Sequence, residues 1–216
     1  ANSSGLVGRC FMKHQNGCLV AVLDGENDSK FQKHFGMTDF YESDGSGGPP
    51  LGTIQLMGKP DRGTLEWLRG NEFAGESIDE ISKRTMDFFL TAEDLPDPSN
   101  RVTLGEGGSI RVAYTVNNVQ AYEGLVSRFT GILREMETRH GRRAPVILHQ
   151  RLGASGVSHQ CGTARFGVDP STSVLDTVCC AHDVGNLYVV DSSFFPSSSA
   201  VNPTSTPKRF SPAGSR

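Results

Sequence analysis

A mixed α/β (α+β) fold built on an antiparallel sheet with helices is what this chain predicts. Three observations carry the prediction. Short apolar or alternating segments bounded by turn residues recur through residues 1–150, and one long apolar stripe has helical spacing. From residue 151 onward the texture changes to Gly, Ser, His, Cys and Thr. The chain has 216 residues, 36% hydrophobic and 21% charged, a composition of folded rather than disordered proteins.

The elements follow in order. Cys18 to Leu23 is a continuous apolar run and predicts a buried strand, closed by the turn Asp24-Gly25-Glu26-Asn27-Asp28. Residues 42–50, Glu-Ser-Asp-Gly-Ser-Gly-Gly-Pro-Pro, form a solvated loop anchored at its base by Phe35, Phe40 and Tyr41, or else a lid. Leu51–Gly58 and Met86–Thr91 predict strands, and Ser77–Arg84 a short helix between them. Asp94-Leu95-Pro96-Asp97-Pro98-Ser99-Asn100 is a turn, because two prolines fix φ and cannot donate to a ladder. Arg101–Leu104 and Ile110–Tyr114 alternate around Gly105-Glu106-Gly107-Gly108 as a hairpin.

The longest helix comes next. Val119, Tyr122, Leu125, Val126, Phe129, Ile132, Leu133 and Met136 recur at spacings of three and four, with Asn118 as N-cap and His140-Gly141 as stop. Pro145–Leu148 and Asn186–Asp191 predict two further strands.

Composition excludes several functions. A net charge of -3 with no Lys/Arg-rich run argues against a nucleic-acid partner. No apolar run approaches the roughly 20 residues of a transmembrane helix. The start Ala1-Asn2-Ser3-Ser4-Gly5 has neither the basic nor the apolar part of a signal peptide. Five cysteines at irregular spacing, two of them adjacent, favour a reduced, cytoplasmic chain over a disulfide framework. The first residue is not Met, as expected either of simple processing or of a piece of something larger, and the 25 glycines exceed the usual share.

No Gly-x-Gly-x-x-Gly follows a strand, no Walker-type loop is present, and no Gly-x-Ser-x-Gly elbow exists. Among the histidines, His34 and His140 sit in polar surroundings and His149 ends a strand. His159, in Ser158-His159-Gln160-Cys161-Gly162-Thr163, is either a general base with exposed backbone around it or an imidazole hydrogen-bonded inside a turn. His159, Cys161, Cys179, Cys180 and His182 also offer soft and imidazole ligands for zinc, although adjacent cysteines are awkward for a tetrahedral site. Val189-Val190-Asp191-Ser192-Ser193, followed by Ala200-Val201-Asn202-Pro203-Thr204, is a strand ending in Asp and hydroxyl residues, suited to a ligand's sugar or phosphate or to an ordinary turn.

Taken together, the run from His159 to Pro203 resembles the C-terminal signature of the glucose-methanol-choline (GMC) oxidoreductases. The matching stretches are His159–Gly167, Asp169-Pro170, Ser173–Asp176, Ala181–Val184, Asn186–Asp191, Phe195-Pro196 and Val201-Asn202-Pro203, in the family's order. Leu6-Val7-Gly8-Arg9…His14 is similar to the family's Val-Gly-x-Asn-Leu-x-x-His segment, and 91–104 to a hairpin of its substrate domain.

The resemblance implies an FAD enzyme that oxidises a small-molecule alcohol or sugar to a carbonyl, with the electron acceptor left open, or else a non-catalytic fragment of such an enzyme; the zinc reading would instead make the chain an interaction module. The resemblance implies that His159 is the base, that Asn202 bonds the substrate oxygen, and that Asp191 and Ser192 approach the pyrophosphate and ribityl chain. Asn202-Pro203 would then lie beside the pyrimidine edge of the flavin. It divides the chain into the end of the first half of the FAD domain (1–35), a substrate domain (36–150), a C-terminal FAD-domain and active-site segment (151–207) and an atypical tail (208–216), with the N-terminal Rossmann half absent. Two departures stand out. Cys10 occupies the place of the family's Asn, and Pro207 and Pro212 interrupt what is elsewhere a long helix, as expected of a frame shift or truncation near Pro207.

Overall fold

The computed structural model describes residues 2–30, 33–69, 72–73, 75–153, 156 and 159–200. They form two compact units that interleave along the chain. One comprises Gln15–Ala92 and Val119–Gly153, the other Ala1–His14, Glu93–Asn118 and Ala154–Arg216. These cuts differ from the expected segments 1–35, 36–150 and 151–207. The strand near residue 18 leaves its expected neighbours because it pairs along its whole length inside the sheet of the first unit.

That unit contains, in chain order, β1 (Gln15–Val22), β2 (Gly36–Met37), β3 (Thr53–Met57), α1 (Arg62–Arg69), α2 (Ile78–Arg84), β4 (Thr85–Ala92), α3 (Val119–Arg139) and β7 (Val146–Arg151). Its five strands run in the order β2-β3-β4-β1-β7, every pair antiparallel. The fold class is therefore the expected one. Alternation along β1 explains its unbroken apolar run. Leu19 and Ala21 point to one face and pack with Ile54, Leu56, Phe88 and Leu90 against Tyr122, Leu125, Phe129 and Leu133 of α3. Val20 and Val22 point to the other, with Leu148, and meet Leu65, Phe73, Ile78 and Ile81.

Local chemistry sets the boundaries. Ser77 caps α2 by accepting from the Glu80 N–H, and Glu80 returns a bond to the Ser77 N–H, a complete capping box. α3 stops as expected. Gly141 takes φ +70°, Arg142 N–H reaches back to the Glu137 carbonyl, and the Arg142 guanidinium grips the buried Glu137 carboxylate at 2.6 and 2.8 Å. Its start differs from expectation. Asn118 sits at φ +51° and donates its side-chain amide to the Glu93 carbonyl at 2.8 Å, so among the described residues it makes no cap bond to α3. Helix α1 is an addition that the periodicity did not announce. At Gly17 a Cβ would lie 1.7 Å from the Tyr122 hydroxyl, which bonds His149 Nε2 at 2.8 Å, so glycine alone fits there.

The second unit holds two small ladders, β5 (Arg101–Leu104) with β6 (Ile110–Ala113), and β8 (Cys180–Ala181) with β9 (Val184–Tyr188). The strand expected at 186–191 thus begins and ends earlier. Beyond the ladders the described residues of this unit form turns, bridges and single 3-10 turns, with an apolar cluster of Met12, Cys161, Ala164, Leu175, Ala181, Phe194 and Phe195. No helix among the described residues is long and apolar enough to cross a membrane.

Candidate active site

The second unit brings together residues that lie 145 positions apart. Met12 and Cys161 exchange both backbone hydrogen bonds, at 2.9 and 3.0 Å, as an isolated antiparallel bridge. In antiparallel pairing the next residues on the same face are two further along one strand and two back along the other. Those residues are His14 and His159. His14 Nε2 lies 3.0 Å from His159 Nδ1, and the rings meet edge to face with centroids 5.0 Å apart.

The approach of the two stretches has a steric condition. Gly162 takes φ +92°, and a Cβ there would stand 2.2 Å from the Cys10 carbonyl oxygen. Cys10 itself sits in the left-handed region at φ +59°. Asn tolerates that region far better than most residues, which gives a backbone reason for the Asn of the similar motif.

Around this pair the unit is tied by buried polar groups rather than by long ladders. Asp94, fully buried, accepts from the Lys13 N–H at 3.0 Å and the Tyr114 hydroxyl at 2.9 Å, while its own N–H donates to Ser198 Oγ at 2.8 Å. Asn100 bridges to the Thr115 backbone in both directions, at 2.7 and 3.0 Å. Asp94, through its carboxylate and its backbone N–H, thus joins all three stretches of the unit, while Asn100 braces the middle one.

His14 is 1% exposed. Burial, the neighbouring His159 and the Lys13 charge together push its pKa down from 6.5 to about 4, so it is neutral at pH 7. The nearby Ser199 backbone acts in the opposite direction and raises it. His14 Nδ1 is buried and meets no partner at full hydrogen-bond geometry among the described residues.

The other expected site segment converges on the same place. The Ser192 hydroxyl donates to the carbonyl of Gln160, next to His159, at 2.7 Å. Asp191 caps a single 3-10 turn, Ser192–Phe194, accepting from the Ser193 N–H at 2.8 Å and its hydroxyl at 2.5 Å. The Ser193 and Phe194 carbonyls accept from the N–H groups of Ala164 and Phe166. Asp191 and Ser192 therefore spend these side-chain bonds on shaping the chain beside His159. They fit a flavin as an exposed turn that offers backbone, since Val190 is 78% exposed and Asp191 is exposed as well. Asn202 and Pro203 lie outside the described residues.

The zinc arrangement is not assembled. His159 faces His14, His182 Nε2 bonds Ser173 Oγ at 2.9 Å, and among the described residues no group of three or more His, Cys, Asp or Glu could hold a metal ion. All five cysteines are free thiols. His14, by contrast, is a site residue for which residue spacing held no signal. Only its place in the Val-Gly segment drew attention to it.

The chain is similar to known proteins in sequence and in fold. Residues 110–207 match the sequence profile of the C-terminal domain of the GMC oxidoreductases. Over 95% of its length the chain is 46% identical to paromamine 6'-oxidase of Streptomyces fradiae, covering 38% of that enzyme. It is 28% identical to 2-methyl-1,2-propanediol dehydrogenase of Mycolicibacterium austroafricanum, covering 40% of it. Among solved structures, a formate oxidase variant of Aspergillus oryzae, studied for its FAD modification, superposes with a TM-score of 0.59 at 12% identity, over 94% of this chain and 45% of that one. Pyridoxine 4-oxidase of Mesorbium loti superposes with a TM-score of 0.54 at 15% identity, over 94% of this chain and 42% of that one. The chain spans about two fifths of the length of the curated enzymes it matches.

Proposed function

Since the chain belongs to the GMC oxidoreductase family, we propose that it supplies the proton-handling side of an FAD-dependent enzyme that oxidises the CH–OH group of an alcohol or sugar to a carbonyl. The observation that carries this reading is the 46% identity, across 95% of the chain, with an enzyme named as an oxidase of paromamine. The buried imidazole behind His159 supports it on chemical grounds.

FAD, when bound, supplies the two-electron hydride acceptor that no protein side chain provides. His159 takes the hydroxyl proton, so that the oxygen's electrons close the C=O bond as the hydride leaves carbon. Alkoxide character develops at that oxygen, and the Asn202 amide donates to it, lowering its cost. Asp191 and Ser192 keep the backbone beside His159 in place and, with Pro203 by its motif match, would hold the cofactor when it is bound. The half-reaction is the same for an oxidase and a dehydrogenase. The additional chain of the longer protein covers the apolar side chains that β9 and its continuation expose, Leu187, Tyr188 and Val190.

The test is His159→Ala in the full-length enzyme. Turnover should fall by roughly 10²-fold or more while the flavin absorbance bands are retained. A loss of less than threefold overturns the assignment of His159 as base.

A further inference from the structure

A base that works through one ring nitrogen must keep its proton on the other. His159 turns its Nδ1 to His14 Nε2, and two neutral imidazoles in contact share one proton between those nitrogens. If His14 donates, His159 carries its remaining proton on Nε2 and cannot accept another there. If His159 donates from Nδ1, its Nε2 holds a lone pair.

The role proposed for His159 and the geometry of the pair select between these arrangements. His159 turns Nδ1 to His14, so the ring nitrogen that can serve as base is Nε2, and that requires the His159 proton to sit on Nδ1. A proton on Nδ1 needs an acceptor, and His14 Nε2 stands 3.0 Å away. The His14 ring is 1% exposed, so no bulk water competes for the bond. With Nε2 accepting, the neutral His14 ring carries its own proton on Nδ1.

We infer that His14 is a positioning residue that fixes His159 in the Nδ1-protonated tautomer and so leaves Nε2 as the basic nitrogen. The inference rests on the function proposed above. It adds a residue to the site, reached through the Met12–Cys161 bridge rather than through any local motif. His14 makes no bond to substrate in this scheme. Its neutrality at pH 7 keeps its own lone pair available for the bond.

The test uses the full-length enzyme with 15N-labelled histidine, comparing the natural protein with His14→Gln and His14→Phe. In the natural protein the His159 signals should show a protonated Nδ1 and an unprotonated Nε2. Phe removes the acceptor and should abolish that preference, lower kcat for flavin reduction about tenfold or more, change KM less than threefold and shift the pH profile of the reduction rate. Gln places an acceptor amide there and should recover part of the rate. A protonated Nε2 on His159 in the natural protein overturns the inference, whatever the variants do. So does a His14→Phe enzyme with an unchanged tautomer and pH profile. Should His14→Phe fail to fold, the natural protein's nitrogen signals decide alone. Failure of the function itself is separate, since His159→Ala would then leave turnover within threefold.

Discussion

The interiors of the two units, each taken by itself, are organised by different physics. In the sheet-bearing unit, positions are set by long antiparallel ladders and by apolar burial on both faces, with Leu19, Ile54, Leu90 and Leu125 fully buried. In the other unit, ladders are short and the interior contains Asp94, Asn100, His14 and Ser198, each 1% exposed or less. The first kind of interior tolerates shape changes in proportion to volume. The second depends on every partner being present, because one missing group strands the others. Irregular backbone around buried polar groups can aim two imidazoles at each other, which a uniform apolar core has no means to do.

Four substitutions or conditions would break or sharpen this contrast, from largest to smallest. Phe129→Ala, at the centre of the α3 face and in edge contact with Phe88, should cost about 3–5 kcal/mol in urea denaturation. A loss below 1 kcal/mol would mean that α3 does not hold the sheet. Asp94→Ala removes few apolar contacts yet takes away the carboxylate that accepts from the Lys13 N–H and the Tyr114 hydroxyl. It should cost about 2–4 kcal/mol in the same measurement, and a neutral result would show that this polar knot is dispensable.

Acid should act on the units in opposite senses. His14 is neutral in the fold, with its pKa lowered to about 4. The unfolded chain therefore binds more protons between about pH 6.5 and 4, and this contribution is lost as pH falls through that window. Asp87, on β4, is buried with one oxygen bonded by the Thr85 hydroxyl, and burial raises its pKa to about 6. The folded chain then binds more protons between about pH 3.8 and 6, and this contribution is lost as pH rises through that window. Each amounts to at most about 3 kcal/mol. Asp87→Asn should make stability fall more steeply between pH 6 and 4, and His14→Gln less steeply, in urea midpoints taken across that range. Identical slopes in all three proteins would remove the contrast. The smallest effect expected is at the α2 capping box, where Ser77→Ala should cost about 1 kcal/mol of stability.

Legibility in the sequence follows the same division. β1, β3, β4 and α3 were readable because each buries a periodic set of large apolar side chains. α1 was not. Among its described side chains only Leu65 is fully buried and Trp67 is 61% exposed, so there is no buried stripe behind a readable pattern. Asn118 looked like a cap by type and position, but its side chain found a better partner in the Glu93 carbonyl, remote in sequence. In the other unit the family signature made His159, Asp191 and Ser192 visible, while their roles toward one another were not. That the Ser192 hydroxyl holds the Gln160 carbonyl has no local pattern behind it.

By itself, then, the sequence determined the fold class, the long elements and the family, because these rest on local periodicity and on ordered motifs within short stretches. Only the tertiary structure decided which compact unit each stretch joins and which imidazole stands behind His159. A bridge between Met12 and Cys161 depends on two distant backbones approaching each other past Gly162. Such contacts are selected by the packing and hydrogen-bond satisfaction of the whole unit, and no window along the chain contains both partners.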